Sequence, residues 1–310
     1  MAAASGSAAR RQQEGDLGQS SHRIGFIGVG VMGEPMCRNL ALKSGATLVA
    51  LDRDPAPLRR LAEHGVRAAS QVRDAVEASQ LVFLALPSGA AVDELAHAPD
   101  GLLASIGANQ VVVDLGTSPV DLTRELALEF AARGSVFVDA PVARTRAAAE
   151  AGTLAVMVGA EPAVFEQVRP LLSTFASEIT HCGPVGCGQV VKILNNMVLF
   201  QTVVAIAEAK AIGERAGVAP ALLFEALSRG SADSFALRNH GIKAMLPGEF
   251  PTRAFSVSYA RKDLGYALRL AEQTKVEASG AANVDRWLAR AIELGMSEQY
   301  WPVVSRLVGR

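Results

Sequence analysis

The sequence has few cysteines, few aromatic residues and almost no net charge. Its three cysteines, Cys37, Cys182 and Cys187, are too few for a disulfide framework and lack the paired spacing of a zinc site. Thirty basic and 31 acidic residues give a formal net charge of −1, without a basic block that would follow a nucleic acid or an anionic membrane. We therefore expect a cytoplasmic protein with no metal site and with neither nucleic acid nor membrane as a partner.

Long hydrophobic runs are also missing. No segment is an uninterrupted apolar span of the roughly 18 residues or more that suggest a transmembrane helix. Residues 1–21 are rich in Ala, Ser, Gln and Arg and contain no apolar core of a signal peptide. We interpret them as a disordered tail. A transit peptide is the alternative, which the acidic residues Glu14 and Asp16 disfavour.

The remaining chain is hydrophobic and long enough to fill two domains. From residue 23, short apolar runs alternate with segments of helical spacing, which is typical of a Rossmann-type α/β fold with a doubly wound parallel sheet. After residue 183 the spacing is helical throughout. We predict a dinucleotide-binding domain over 22–183 and an all-helical substrate and dimerisation domain over 184–310. The predicted strands are 23–29, 47–52, 81–86, 111–115 and 136–139.

The longest periodic segment, 189–216, predicts a helix with an unusual distribution of apolar residues. Between residues 197 and 212 the helix is apolar on nearly every face, so other helices should surround it. A partner subunit could supply part of that covering, which favours a homodimer or a homotetramer.

A glycine motif follows the first predicted strand in the segment FIGVGVMGEPM. Gly28 permits a tight turn, Gly30 lets the backbone approach a pyrophosphate, and Gly33 allows the following helix to pack on the strand. The amides of Val31 and Met32 belong to the same loop. Because the helix N-terminus carries partial positive charge, the loop predicts a dinucleotide site. A tight turn without a ligand is the alternative for the glycines taken alone.

Asp52 ends the second predicted strand about 20 residues after the motif, where a carboxylate binds the ribose hydroxyls of NAD and repels a 2′-phosphate. Arg53 follows it and would pair with a 2′-phosphate or stack on adenine. The pair favours NAD as the cofactor and leaves NADP possible.

Further segments occur in a fixed order along residues 23–305. They are GFIGVGVMGEPMCRNL, LALPSG, DLGTSP, DAPVART, GCGQVVKILNN and RKDLGYAL. Together they resemble the β-hydroxyacid dehydrogenase family, which includes 3-hydroxyisobutyrate dehydrogenase, tartronate semialdehyde reductase and sulfolactaldehyde reductase. The resemblance implies a fold like that of 6-phosphogluconate dehydrogenase. It also implies cofactor contacts at Leu86, Pro87 and Thr117, on the loops LALPSG and DLGTSP.

By the same resemblance, Lys192 is the catalytic residue of the segment GCGQVVKILNN. A lysine desolvated by apolar neighbours has a lowered pKa and can take or return the proton of a hydroxyl group during hydride transfer. Asn195 and Asn196, on the same helix, are the implied substrate ligands. Lys262, in RKDL, is implied to lie over the cofactor. A solvated lysine paired with Asp263 is the alternative for it.

The chain departs from the family in its substrate loop. Most members have Ser-Gly-Gly after D-x-P-V, and this chain has Ala143, Arg144 and Thr145. The change resembles the sulfolactaldehyde reductase variant, in which an arginine faces the anionic end of the substrate, so Arg144 and Thr145 are predicted substrate contacts. Arg146 could share this task, and a surface pair between Arg144 and Glu150 is the alternative.

These observations predict an NAD(P)-dependent oxidoreductase that interconverts a small anionic 3-hydroxy acid and its 3-oxo acid or semialdehyde. An imine reductase on the same scaffold is an alternative, although that chemistry usually comes with loss of the lysine. A non-catalytic dinucleotide-binding module is another, and it would predict a damaged lysine segment and an added reader domain.

Overall fold

The computed structural model describes residues 23–77, 79–252 and 254–309, so the predicted tail over 1–21 lies outside the described residues. The chain forms two compact units, of which the first ends at Gln189 and the second begins at Val190. The helix that contains both of these residues, Cys187–Arg215, belongs mostly to the second unit.

The first unit is built on one sheet of nine strands within the described residues. The strands are β1 (Arg23–Ile27), β2 (Thr47–Leu51), β3 (Arg67–Ala68), β4 (Leu81–Leu84), β5 (Val111–Asp114), β6 (Val136–Asp139), β7 (Val142–Ala143), β8 (Leu154–Gly159) and β9 (Ala176–Gly183). Its helices are α1 (Gly33–Lys43), α2 (Pro55–Ala62), α3 (Val72–Val76), α4 (Gly89–His97), α5 (Leu102–Ser105), α6 (Val120–Ala131), α7 (Arg146–Ala151) and α8 (Pro162–Leu172). The strand order is β3-β2-β1-β4-β5-β6-β8-β7, with β9 paired to β8.

The strands from β3 to β6 pair in parallel, as the alternation of apolar runs and helical segments predicts. Both faces of the sheet are buried. Phe26 and Phe83 belong to an apolar cluster on one face, and their neighbours Ile27 and Leu84 belong to a cluster on the other. Because parallel strands share a direction, the loops that follow β1, β2, β4, β5 and β6 meet at one edge of the sheet.

The end of the sheet beyond β6 differs from the sequence prediction, which contained only the strands now numbered β1, β2, β4, β5 and β6. Strand β8 pairs antiparallel with β6 and β7, so the sheet is mixed. Antiparallel neighbours need no long crossover, and β7 and β8 are joined by a short segment that contains α7. Half of the residues of strand β9 are exposed and polar, so the strand lacks the apolar run that marks a buried strand.

The second unit is helical over its described length. Its elements are α9 (Cys187–Arg215), α10 (Pro220–Arg229), a π-helix (Leu237–Met245), α11 (Val257–Gln273), α12 (Ser279–Glu293) and a 3₁₀ helix (Trp301–Arg306). Helices α11 and α12 carry strong apolar stripes that face a common core. Phe200, Phe224 and Trp301 are fully buried in that core.

The described residues cover only part of the surface of helix α9. Phe200, Val203 and Ala207 are buried, whereas Val198 is 58% exposed and Ile212 is 68% exposed. The expectation that other helices of the chain surround α9 therefore holds for one side of it. By length and composition α9 is also apolar enough to cross a membrane, a criterion that core helices of water-soluble proteins meet as well.

Candidate functional site

The glycine loop lies between β1 and α1, at the edge where the parallel strands end. Gly28 has a φ of 91°, a left-handed conformation that favours glycine. A side chain at Gly33 would overlap the carbonyl oxygen of Gly28, whereas a side chain at Gly30 would meet open space. Val31 is exposed and Met32 half-buried in the same loop. The backbone at the start of α1 is therefore accessible, and Gly33 allows the close packing that the motif predicts.

Asp52 stands beside this loop at the end of β2. Its Oδ2 accepts a hydrogen bond of 2.7 Å from the amide of Val29, and its Oδ1 accepts one of 2.8 Å from the amide of Asp54. The carboxylate is thus held next to the glycine loop, where a ribose would lie. Arg53 is exposed, and Asp54 caps α2 through the amide of Ala56.

Two further loops reach the same edge of the sheet. Leu86 is half-buried and Pro87 is exposed after β4, just before α4 begins. Thr117, half-buried, follows β5 in a loop shaped by the buried carboxylate of Asp114. That carboxylate accepts hydrogen bonds of 2.8 Å from the amide of Gly116 and of 2.8 Å from the hydroxyl of Ser118.

The residues at this edge suit a dinucleotide. An open backbone cradle at a helix N-terminus can receive a pyrophosphate, and a carboxylate on the neighbouring strand can receive a ribose. The described residues contain no group of three or more His, Cys, Asp or Glu side chains that could hold a metal ion.

Lys192 lies in the second turn of α9 and is buried, with 8% of its surface exposed. Burial is the largest influence on its pKa and lowers it, because an ammonium group loses hydration there. The carboxylate of Asp263 raises the pKa of Lys192, and the ammonium of Lys262 lowers it. The net pKa of Lys192 is below its ordinary value, which suits a proton acceptor.

The two asparagines of the segment differ in their placement. Asn196 is buried, and its Nδ2 donates a hydrogen bond of 2.8 Å to Oδ2 of Asp263. Asn195 is exposed, and its Nδ2 donates one of 3.2 Å to Oδ1 of Asn196. The structure therefore brings Asn196 and Lys192 to the buried face of α9 and leaves Asn195 at its exposed edge.

Lys262, on α11, pairs with Asp263, as the alternative to a cofactor contact predicts. Its Nζ lies 2.9 Å from Oδ1 of Asp263. The ammonium also lies 4.4 Å from the ring centre of Tyr259 and 5.2 Å from that of Tyr266. The charge of Lys262 is thus held by one carboxylate and two aromatic faces.

Asp263 is the site residue that sequence reasoning did not select. It is 2% exposed and receives both the amide of Asn196 and the ammonium of Lys262. A buried carboxylate needs such partners. The sequence offered one signal, an aspartate within an otherwise apolar helical stripe, but the pairing with Asn196 joins residues 67 positions apart.

Arg144 has an unusual backbone and is engaged with its own unit. Its φ of 87° is left-handed, a conformation that glycine tolerates better than arginine. Its Nη1 donates hydrogen bonds of 2.6 Å to the carbonyl of Thr153 and 3.0 Å to the hydroxyl of Ser177. The alternative pair with Glu150 is made by a different arginine, since Nε of Arg146 lies 2.9 Å from that carboxylate.

Thr145 follows as the N-cap of α7, with its hydroxyl accepting from the amide of Ala148. The structure therefore keeps Arg144 and Thr145 in one exposed turn after β7, and each side chain has a hydrogen-bond partner within the first unit.

Two family models match the chain in succession. Residues 23–183 match the NAD binding domain of 6-phosphogluconate dehydrogenase. Residues 186–300 match a model described as NAD-binding of NADP-dependent 3-hydroxyisobutyrate dehydrogenase.

Curated relatives match over most of their length. The chain is 36% identical over 258 residues to 2-(hydroxymethyl)glutarate dehydrogenase of Eubacterium barkeri, which covers 83% of this chain and 85% of the relative. It is 34% identical over 291 residues to NAD-dependent L-serine dehydrogenase of Pseudomonas aeruginosa, which covers 92% of this chain and 97% of the relative.

A solved structure has the same fold. Mycobacterium tuberculosis 3-hydroxyisobutyrate dehydrogenase, determined with L-serine, matches with a TM-score of 0.84 and 28% identity, over 92% of this chain and 98% of that one.

Proposed function

The chain belongs to the β-hydroxyacid dehydrogenase family of NAD(P)-dependent oxidoreductases, and on that premise we propose that it interconverts a small anionic 3-hydroxy acid and its 3-oxo acid or semialdehyde, with Lys192 as general acid and base. The observation that supports the proposal most directly is the buried amino group of Lys192, one turn before the buried amide of Asn196.

The proposed reaction breaks two bonds of the alcohol. A bound nicotinamide would supply the acceptor for the carbinol hydrogen, which leaves the carbon as a hydride with its electron pair. Neutral Lys192 takes the hydroxyl proton on Nζ as the carbon–oxygen double bond forms, and returns a proton to the oxygen in the reverse reduction. Asn196, held by Asp263, would orient the substrate without adding a charge that competes with the lysine.

For the cofactor we propose NAD, with NADP as the weaker alternative. Support comes from the carboxylate of Asp52, which stands beside the glycine loop and would repel a 2′-phosphate. Arg53, exposed next to it, offsets that repulsion in part. Comparing kcat/KM for NAD and NADP at equal substrate concentration tests the preference, and a clear advantage for NADP would contradict it.

For the substrate we propose that Arg144 meets the anionic end, with Thr145 beside it. A guanidinium binds a carboxylate or a sulfonate through a planar fork. Arg144 would have to give up its hydrogen bonds to Thr153 and Ser177 to do so, and this cost reduces the net gain. We expect Arg144→Ala to lower kcat/KM about tenfold, or roughly 1.4 kcal/mol, for an anionic substrate and to leave a neutral analogue unaffected. An equal loss on both substrates would assign Arg144 to the structure of the turn.

A panel of 3-hydroxy acids with carboxylate, sulfonate, amino and aryl substituents, assayed with NAD and with NADP, tests the proposed function. We expect oxidation of at least one small 3-hydroxy acid. Reduction of cyclic imines without any hydroxy-acid turnover would support the imine reductase alternative. Dinucleotide binding without turnover of either class would support a non-catalytic module.

We also propose a homodimer or homotetramer, in which a second subunit covers the exposed apolar residues of α9. Support comes from Val198 and Ile212, whose exposure would be costly over a long helix in water. Light scattering coupled to size-exclusion chromatography gives the mass, and a monomer at micromolar concentration would contradict the proposal.

A further inference from the structure

A buried polar network in the first unit ends at the first turn of α9. Asp139, at the end of β6, is fully buried, and so is Gln189 in α9. Oδ1 of Asp139 accepts a hydrogen bond of 2.7 Å from the amide of Gly186, and Oδ2 accepts one of 2.7 Å from the amide of Gln189. The carboxylate therefore satisfies backbone donors that a helix N-terminus leaves without helical partners, and its charge complements the helix dipole.

The side chain of Gln189 makes a second connection, to the loop after β5. Its Nε2 donates a hydrogen bond of 2.9 Å to the carbonyl of Gly116, and its Oε1 accepts one of 3.1 Å from the amide of Ser118. These two residues flank Thr117. The carboxylate of Asp114 also holds this loop, because it accepts hydrogen bonds from the amide of Gly116 and the hydroxyl of Ser118. Both polar ends of the Gln189 amide are thus used, which fixes its orientation.

Two glycines pack so closely around the carboxylate of Asp139 that neither position has room for a side chain. A side chain at Gly159 would overlap the carboxylate of Asp139, and one at Gly188 would overlap the carbonyl of Met157 and approach the same carboxylate. The first turn of α9 therefore packs closely on the sheet, and the carboxylate of Asp139 lies between the backbone of Gly159 and that of Gly188. Movement of this turn would break several buried hydrogen bonds at once.

Because α9 is a continuous helix, hydrogen bonds that fix its first turn also affect side chains further along the same face. Gln189, Lys192 and Asn196 have the spacing i, i+3, i+7, so they share one face, and all three are buried. Lys192 stands only about 4.5 Å further along the axis than Gln189. Rotation of the helix about its axis at Gln189 would turn Lys192 by the same angle.

We propose that Asp139 and Gln189 are positioning residues that set the rotation of α9 and thereby the direction of the Lys192 side chain. The proposal rests on the proposed function for its effect on catalysis. Neither residue is assigned a contact with substrate or cofactor. Their effect on the reaction should therefore appear in kcat, because displacing a reacting group by about 1 Å can cost up to about 10²-fold in rate.

The first test replaces Gln189 by methionine, which has a similar length and removes both side-chain hydrogen bonds. We expect Gln189→Met to lower kcat by about 10-fold to 100-fold, with the KM for the hydroxy acid changed less than about threefold. Gln201→Met is the matched control, since Gln201 is a half-buried glutamine further along the same helix. It should keep the wild-type kcat. Wild-type kcat in Gln189→Met would overturn the proposal.

The second test is a pH-dependent rescue that a merely structural role would not produce. In Gln189→Glu, an ionised carboxylate would face the carbonyl of Gly116, whereas a protonated carboxyl would donate to it as the amide does. We expect the ratio of variant to wild-type kcat to rise as the pH falls for Gln189→Glu and to stay flat for Gln189→Met. A flat ratio for both variants contradicts a role for this hydrogen bond.

The third test does not depend on activity. In the apo protein, hydrogen exchange of a peptide covering residues 184–192 reports on the amides of Gly186 and Gln189. We expect Asp139→Asn to speed their exchange at least about tenfold, because the amide group cannot accept from both donors. Unchanged exchange would overturn the role of Asp139, even if the chain oxidised no hydroxy acid. Faster exchange in a chain without hydroxy-acid turnover would support the positioning role and refute the proposed function.

Discussion

The two units form their candidate ligand contacts by different means. In the first unit the candidate pyrophosphate contacts come from backbone groups in the loop after β1, as at Gly28 and Gly30, with the carboxylate of Asp52 beside them. In the second unit they come from side chains on helix faces, as at Lys192 and at Asn196, which Asp263 holds in place. A site made of backbone groups requires residues small enough to leave space for the ligand. A site made of side chains requires residues whose hydrogen bonds or ion pairs hold those side chains in place. The two halves should therefore respond to different kinds of substitution.

The largest effect should follow from loss of the lysine in the second unit. We expect Lys192→Ala to lower kcat by about 10²-fold to 10⁴-fold, the usual range for a general acid or base. Dinucleotide affinity, which we expect to depend mainly on the glycine loop of the first unit, should change little. Steady-state kinetics and a fluorescence titration with NADH measure both. Lys210→Ala, on the same helix and paired with Glu214, is the control and should retain full turnover.

In the first unit, adding a side chain where the glycine loop has no room should weaken dinucleotide binding. In Gly33→Ala the added methyl group would overlap the carbonyl oxygen of Gly28, so the loop must shift. We expect the Kd for the dinucleotide to rise about tenfold or more, and the stability to fall by about 1 to 3 kcal/mol. Gly265→Ala adds the same methyl group in open space on α11. If both variants bound the dinucleotide like the wild type, the backbone interpretation of the loop would fail.

Removing the charge of Asp263 in the second unit should shift the pH dependence of kcat/KM and leave measurable activity. Neutral Lys192 is the base in oxidation, so the rate should rise with pH through the pKa of Lys192. The Asp263 carboxylate raises that pKa, and Asp263→Asn removes the charge. The rising limb of kcat/KM should therefore move to lower pH. Asp285→Asn, which removes a carboxylate paired with Arg261 in the same unit, should leave the limb in place. Movement to higher pH would contradict the assignment.

The smallest effect concerns stability in mild acid, where the units should respond in opposite directions. Burial raises the pKa of Asp139 from 3.8 to about 6, and lowers the pKa of His240 from 6.5 to about 4. The Asp139 contribution is present below pH 3.8 and is lost as the pH rises through about 6. The His240 contribution is present above pH 6.5 and is lost as the pH falls through about 4.

Urea denaturation of wild type and His240→Gln at pH 7.5 and about pH 5 measures the second of these terms. The variant should lose less stability than the wild type on acidification, because its unfolded chain gains no extra proton at this position. The Asp139 contribution is common to both proteins and cancels from the difference. An equal loss in both proteins would mean that His240 does not titrate in this range.

The apolar pattern of the sequence predicts most of the parallel part of the sheet. The five predicted strands correspond to β1, β2, β4, β5 and β6, each of them largely buried. The strands β3, β7, β8 and β9 were not predicted. The exposed Glu178 and His181 leave β9 without an apolar signature, whereas β8 is an apolar run that the prediction did not name. Backbone pairing with β8 forms β9, and pairing partners are set by topology, which a local pattern does not contain.

The candidate site shows the same division. Loop glycines and Lys192 belong to contiguous motifs and could be named from the sequence. Asp263, which pairs with Asn196 across two helices, could not, because its partner is distant in the chain. Gln189 lies within the lysine motif, yet its hydrogen bonds to the Thr117 loop depend on a sheet edge that only the fold assembles.

The distribution of two rare residue types gives each unit its own spectroscopic or chemical reporter. The chain has two tryptophans, Trp287 and Trp301, and both contribute to the core of the second unit. Cys37 is fully buried in the core of the first unit, and burial raises its pKa and suppresses its reactivity. Intrinsic fluorescence therefore follows unfolding of the helical unit, while thiol labelling of Cys37, in a chain with Cys182 and Cys187 replaced by serine, follows opening of the sheet. Recording both signals in one denaturation series would reveal whether the halves unfold together or in sequence.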